Sequence, residues 1–433
     1  MPAQTRVLEG IYCRIYYEDH DYGLQSGDAS GGIDERLCKV GIIQSEVAML
    51  KGWQVTLDSI GMLLFSVPWA HVADVRGRKP VLLLLTSALF AKYAFVQLVC
   101  FFDGAIPLRW SWLSALHTVF GGSVTVATAL IYTIISDVVP ENDRTSVFFQ
   151  VMAAMIVTQF LGPLISAALM VWSPWLPMVL GLGVELISIL TLCFIPETLN
   201  NGDSGSPEPQ SSLSTDYGAG EEPDFWSRLI IRIKISVSFM ISDTRILVAA
   251  AAFSLHMLFL NRDILLQYIS TRYNISLSTA TVFISIRSGL LIFLCIFIFP
   301  RIGRHYHGKM HSLQADRILS CISAALLALG FLGLSMAPEL VALSVFLAVN
   351  SLGWGLFPFL RSFLTNLAGK SEVARLNSII GVSDTLGLMV GSPLLAKLFS
   401  KGIEMKGFLF GLPFMFSGLS VLVIVLFLSL VNT

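Results

Sequence analysis

Charge is what this chain has least of. Asp, Glu, Lys and Arg make up 13% of its 433 residues, about half the roughly 25% of an ordinary soluble domain. So few charges cannot cover a water-exposed surface of this size, which excludes a single soluble domain. A basic excess is missing too. The 28 Lys and Arg stand against 29 Asp and Glu, for a net charge of −1, so nothing is available to neutralise the phosphates of a nucleic acid. No hydrolase triad, metal quartet or phosphate loop is present. His305, His307 and His311 cluster among Arg301, Arg304 and Lys309, without Cys or carboxylate at ligand spacing, and read as a solvated basic loop. The expectation is a protein that is not an enzyme and holds no metal or cofactor. What is abundant is apolar: 55% of residues are of the AVILMFWYC set, and the mean hydropathy is +0.74. That leaves a polytopic membrane protein, with the lipid bilayer as its main partner.

Long runs without charge identify the spans. Trp110 to Ser136 holds only His117. Thr145 to Val184 holds no charge and is divided by Ser173, Pro174 and Pro177; Gly407 to Thr433 holds none either. With the weaker runs, about eleven spans are expected near 54–73, 80–102, 110–136, 147–170, 177–195, 245–270, 277–299, 316–337, 340–362, 375–398 and 407–431. They read as helices, because a helix satisfies its backbone groups within one segment. Alternate connections carry fifteen Lys and Arg against five. By the positive-inside bias the richer set is cytoplasmic, and so is the C-terminus. Asn274, in the sequon Asn274-Ile275-Ser276, then lies outside and is a candidate for glycosylation.

Segment 1–52 is polar and carries no apolar run of span length. The charge count nevertheless places it outside, and the expectation is a first helix missing upstream of Met1, by a wrong start site or a true truncation. Cys13 and Cys38 in that segment would face an oxidising compartment; a disulfide and two unrelated thiols are both open readings. Cys100, Cys193, Cys295 and Cys321 lie within spans and read as small core residues. Residues 197–243 form the longest connection. Its stretch from Asn200 to Asp224 is rich in Gly, Ser, Pro and acid, as in a flexible linker. The stretch from Phe225 to Lys234 reads as a helix lying on the membrane surface. The domains are thus an outer segment 1–52, a first bundle 53–196, a linker 197–243 and a second bundle 244–433.

Between the first two spans stands Ala70-His71-Val72-Ala73-Asp74-Val75-Arg76-Gly77-Arg78-Lys79-Pro80. This resembles the loop motif of the major facilitator superfamily. Asp74, Gly77, Arg78 and Lys79 match it, while Ala70 stands for its first glycine and Val75 for its first basic residue. Asp137 with Arg144 follows the third span, and Pro196-Glu197-Thr198-Leu199 closes the first half, as in fungal members of that family. Glu9 to Tyr17 is similar to the end of the first helix and the start of the first outer loop in fungal transporters. Gly381 to Pro393 is similar to the eleventh helix. Gly162-Pro163 gives part of an antiporter motif, with Ile165 and Ser166 in place of its last glycines. The resemblance implies two helix bundles of six, less the first helix, rocking about a midplane site. It further implies that Asp74, Arg78, Asp137 and Arg144 gate the inner side. The alternative is that these charges only set topology.

A charge at mid-bilayer costs roughly 2.5–3.5 kcal/mol on insertion scales, so each one within a span needs a reason. Arg262, Asp263 and Arg287 are expected to line a central cavity. Glu185 and Asp384 are candidate proton carriers, and Lys92 is read as snorkelling or paired. His117 is either a coupling group or a hydrogen-bonded core histidine. Asn350 with Trp354, Phe357 and Phe359 would form an amphipathic pocket, if these aromatics are not simply packed or lipid-facing. The expected function is proton-linked export of a small organic molecule by a monomer in the plasma membrane. Proton-coupled uptake, and a membrane sensor or inactive paralogue without transport, stay open.

Overall fold

The structure is a computed structural model that describes residues 2–19, 33–121, 123–139, 141–198, 262–368, 373–405 and 407–430. The expected surface helix at 225–234 and most of the linker lie outside these residues, as do Arg262, Asp74, Asp137 and Arg144 at the level of their side chains. The described part is helical, with no strand. The first half contains α1 (Pro2–Asp19), α2 (Gly41–Arg76) and α3 (Arg78–Phe101). A 3-10 stretch Leu108–Leu116 runs into α4 (His117–Gly121), followed by α5 (Val124–Val138), α6 (Glu141–Met170) and α7 (Trp175–Phe194). The second half contains α8 (Arg262–Arg272), α9 (Leu277–Phe293), α10 (Phe299–His307), α11 (Ser312–Met336), α12 (Leu340–Gly353), α13 (Leu356–Ala368), α14 (Val373–Met405) and α15 (Leu412–Leu430).

Eight of the described helical runs are long and apolar enough to cross a membrane. α7 shows why they must. It has a window mean hydropathy of 2.1, yet only 6% of that window is buried. Ile187 and Phe194 point outward at 63% and 87% exposure, a face that only lipid satisfies.

Segment 1–52 differs from the expected polar outer tail. Residues 2–19 form α1, and α2 begins at Gly41, so the expected boundary at 52 falls inside a helix. The reason is that α1 buries polar as well as apolar side chains: Ala3, Leu8, Thr5 and Glu9 are all within 2% of full burial. A helix whose buried face is partly polar leaves no hydropathy signal. The four span cysteines also divide. Cys100 is buried and Cys321 half-buried, but Cys193 and Cys295 are exposed rather than packed in the core.

The two halves meet along α2 and α14 and along α6 and α9. Gly52 lets α2 approach closely: a Cβ there would sit 3.1 Å from the Ala396 Cβ and from the Ser392 carbonyl. Thr56 Oγ1 donates to the Met389 carbonyl at 3.0 Å, and Ser278 Oγ to the Ala167 carbonyl at 2.7 Å. Cys13 and Cys38 form a disulfide that ties α1 to the segment leading into α2.

Candidate functional site

Five helices enclose a cavity of about 280 Å³. α2 lines it with Lys51, Gln54, Val55 and Asp58, and α7 with Met178, Gly181, Leu182 and Glu185. Both sets follow the i, i+3, i+4, i+7 spacing of one helix face. α3 adds Lys92, Tyr93, Val96 and Gln97; α1 adds Gln4; α8 adds Asp263 from the second half.

Its charges pair across helices. Lys51 Nζ lies 2.7 Å from Asp263 Oδ1 and donates to Thr5 Oγ1 at 2.6 Å, so one ammonium joins the two halves. Lys92 Nζ donates to Asp58 Oδ2 at 2.6 Å. Asp58 Oδ1 is 3.9 Å from His117 Nδ1, and that nitrogen is 2.9 Å from the Ser114 carbonyl oxygen. A carbonyl only accepts, so Nδ1 carries a proton. Gln54 Nε2 donates to Ser114 Oγ at 3.3 Å, and Gln4 Nε2 to Gln54 Oε1 at 3.4 Å. A polar chain therefore runs from α1 to α3. In a surrounding of low dielectric each pair holds only while both partners stay, because a lone buried charge costs several kcal/mol.

The structure thus brings Asp263, Glu185 and Lys92 into one cavity, with His117 behind Asp58. It does not bring the others there. Arg287 is buried inside the second half, where Nη2 donates to Asn350 Oδ1 at 3.0 Å and the guanidinium lies 5.2 Å from the Trp354 ring centroid. Asp384 is half-buried on α14 and is not among the lining residues. Phe359 lines a separate cavity of about 450 Å³ with Phe299 and Asp316, rather than a pocket with Asn350. Lys51 and Asp58 were missed by sequence reasoning. Their signal was there: two charges of opposite sign seven residues apart on one helix face, with Gln54 between them.

At the motif, Gly77 has φ +108°, a left-handed conformation that favours glycine. Its N–H donates to the Ala73 carbonyl at 3.2 Å, closing α2. α3 then starts on the Glu197 carboxylate, which accepts from the N–H groups of Arg78 and Lys79, both at 3.1 Å. Lys79 Nζ donates to the Cys193 carbonyl at 2.9 Å. An anion against the first N–H groups of a helix satisfies donors that no helical carbonyl reaches.

A second charged cluster occupies the opposite end, near the disulfide. Glu9 is 1% exposed and accepts from Lys39 Nζ at 2.7 Å, Gln44 Nε2 at 2.5 Å and Arg6 Nη1 at 3.1 Å. Glu35 pairs with Lys39 and Arg6 and accepts from the Leu277 N–H at 2.6 Å, at the start of α9. This carboxylate reaches from the first half to the second. Asn274, beside it, is exposed with φ 49°. No cluster of three or more His, Cys, Asp or Glu suited to a metal occurs among the described residues.

Residues 44–392 match the Major Facilitator Superfamily. The chain is 31% identical over 428 residues to an MFS efflux pump, atnC, of Emericella nidulans, covering 96% of this chain and 81% of that one. It is 26% identical to an MFS-type transporter, aprT, of Aspergillus flavus, covering 99% and 84%. Among solved structures, the nucleoside transporter NupG superposes with a TM-score of 0.65 at 11% identity, covering 99% of this chain and 98% of that one. A D-xylose-proton symporter superposes with a TM-score of 0.61 at 16% identity, covering 99% and 93%. These two likenesses concern the fold.

Proposed function

Because the chain belongs to the Major Facilitator Superfamily, we propose that it is a secondary carrier that exports a small organic molecule, a secondary metabolite or drug-like compound, driven by a proton gradient. The observation that carries this reading is the charged cavity whose wall contains the Lys51–Asp263 pair between the halves. Rocking of one bundle on the other separates those two residues and changes the access of whatever lies between them. Export is favoured over uptake by the likeness to the efflux pump of Emericella nidulans.

The Lys and Arg excess puts the Gly77 end in the cytoplasm, and the C-terminus with it. The disulfide end is then outside, and Glu35 on α9 and Ser278 on α6 close the outer side. Asp74, Arg78, Asp137 and Arg144 gate the inner side. One chain forms the whole pathway, in the plasma membrane.

Purified protein in lipid vesicles with an imposed pH gradient tests the reading. Gradient-dependent flux of an organic probe, abolished by an uncoupler, supports it; no flux across a broad probe panel overturns it. Asp74→Asn is expected to leave expression intact and lower the rate at least about tenfold, since opening and closing share that motif. Wild-type rates for this variant would remove the gate assignment.

A further inference from the structure

The charge balance of the cavity points to its cargo. Two ammonium groups line it, Lys51 and Lys92, against three carboxylates, Asp58, Asp263 and Glu185. Each ammonium already faces a carboxylate, at 2.7 and 2.6 Å, so an arriving anion would have to break an existing pair. Glu185 is different. Among the described residues it makes no hydrogen bond and no ion pair, and it lines the cavity from α7, half-buried. A lone carboxylate at this depth demands compensation, either by a proton or by a cation.

We infer that the cavity takes a compact organic cation, an amine or ammonium on a largely apolar body, with the Glu185 carboxylate as its counter-charge. This rests on the carrier reading above and names the substrate class for the same site. Room for the apolar body is present one turn away at Gly181, where a Cβ would meet no atom within 4 Å. Val55, Val96 and Leu182 supply apolar wall. The volume of about 280 Å³ lies just below the roughly 300–1,000 Å³ of organic ligand sites, which fits a compact cargo in this conformation.

One carboxylate cannot hold a proton and a cation together. When the cation arrives, the Glu185 O–H bond breaks and the proton leaves to water. When the cation departs, a proton returns. Each exchange moves one positive charge each way, which is the antiport demanded by gradient-driven export. The other titratable groups facing Glu185 are Lys51 and Asp58 from α2, Lys92 and Tyr93 from α3, and Asp263 from α8; α1 contributes the neutral Gln4.

The test uses the full chain in detergent and in vesicles, with 1-methyl-4-phenylpyridinium as a permanent cation and 4-phenylbenzoate as an anion of similar shape. The cation is expected to bind with release of a proton into weak buffer, and the anion not to bind. Glu185→Gln should weaken cation binding by at least about tenfold and abolish proton release, while Glu185→Asp keeps both. Gly181→Leu, which fills the space without changing charge, should also block the cation. Because Glu185 has no partner to lose among the described residues, Glu185→Gln should melt at the wild-type temperature, which separates a lost site from a lost fold. Preference for the anion, or unchanged cation binding and proton release in Glu185→Gln, overturns the inference while leaving the carrier reading intact. Cation binding with proton release but no flux of any probe overturns the carrier reading instead.

Discussion

From Ile264 to Leu428 most buried apolar side chains join one large core, with Tyr268, Phe363, Phe399 and Phe414 among them, and a smaller cluster forms around Phe299 and Phe359. From residue 2 to 198 they divide into smaller clusters: one around Leu8, Val96 and Met178, another around Ala73, Leu85 and Leu130. Charge is divided the other way. Four of the five charged residues that line the cavity, and the Glu9 cluster, belong to the first half, whereas Arg287 in the second half is held by Asn350 and Trp354. On the carrier reading proposed above, the contrast divides labour: the second half with its large core is the body against which the first half, with most of the cavity's charge, moves and binds. Close packing resists deformation, whereas paired charges can exchange partners without losing volume.

The sharpest way to break this contrast is to remove equivalent bulk on each side. Phe363→Ala, at 1% exposure, should cost about 3–5 kcal/mol of stability. Met178→Ala borders the existing cavity and should cost about 2 kcal/mol, the low end for this type of change. Thermal unfolding in detergent compares them, and equal losses would erase the distinction. Lys92→Met attacks charge instead of volume. It leaves Asp58 without its ammonium, with side chains here 13% and 21% exposed, so the expected loss is about 2–3 kcal/mol rather than the full value of a dry pair. Adding Asp58→Asn should restore melting but not gradient-driven flux; recovery of both would make the pair purely structural. The smallest effect is expected from Gly77→Ala. The left-handed φ and a Cβ placed 2.6 Å from Glu197 Oε2 should cost about 1–2 kcal/mol, and Glu197→Ala in the same background should relieve part of it.

Much of the architecture was legible before any coordinates. Charge-free runs marked α5, α6, the first half of α7 and α15, because a lipid-facing helix must be apolar on its outer surface whatever its inner face carries. The Gly77 turn was legible because φ above zero requires glycine, a local demand. α1 was not: its buried face is Thr5 and Glu9 as well as Leu8, and polar burial has no periodic apolar signature. Nor were partners legible. Asp263 could be flagged as an expensive charge, but Lys51 is more than two hundred residues away, and Arg287 was flagged on the same grounds though it serves a different site. Cys193 and Cys295 show the converse, since residence in a span does not say whether a residue faces the core or lipid.

The sequence alone determined that this chain crosses a membrane many times, which ends bear positive charge and which residues are costly to bury. Composition and hydropathy fix these through transfer energies, which act residue by residue. Only the tertiary structure decided that Lys51 answers Asp263, that Lys92 answers Asp58, that Glu35 closes onto α9 and that Glu185 lines the cavity without a counter-charge among the described residues. Such facts depend on distances of a few ångströms between helices far apart in the chain, where Coulomb energy falls with separation in space and takes no account of separation in sequence.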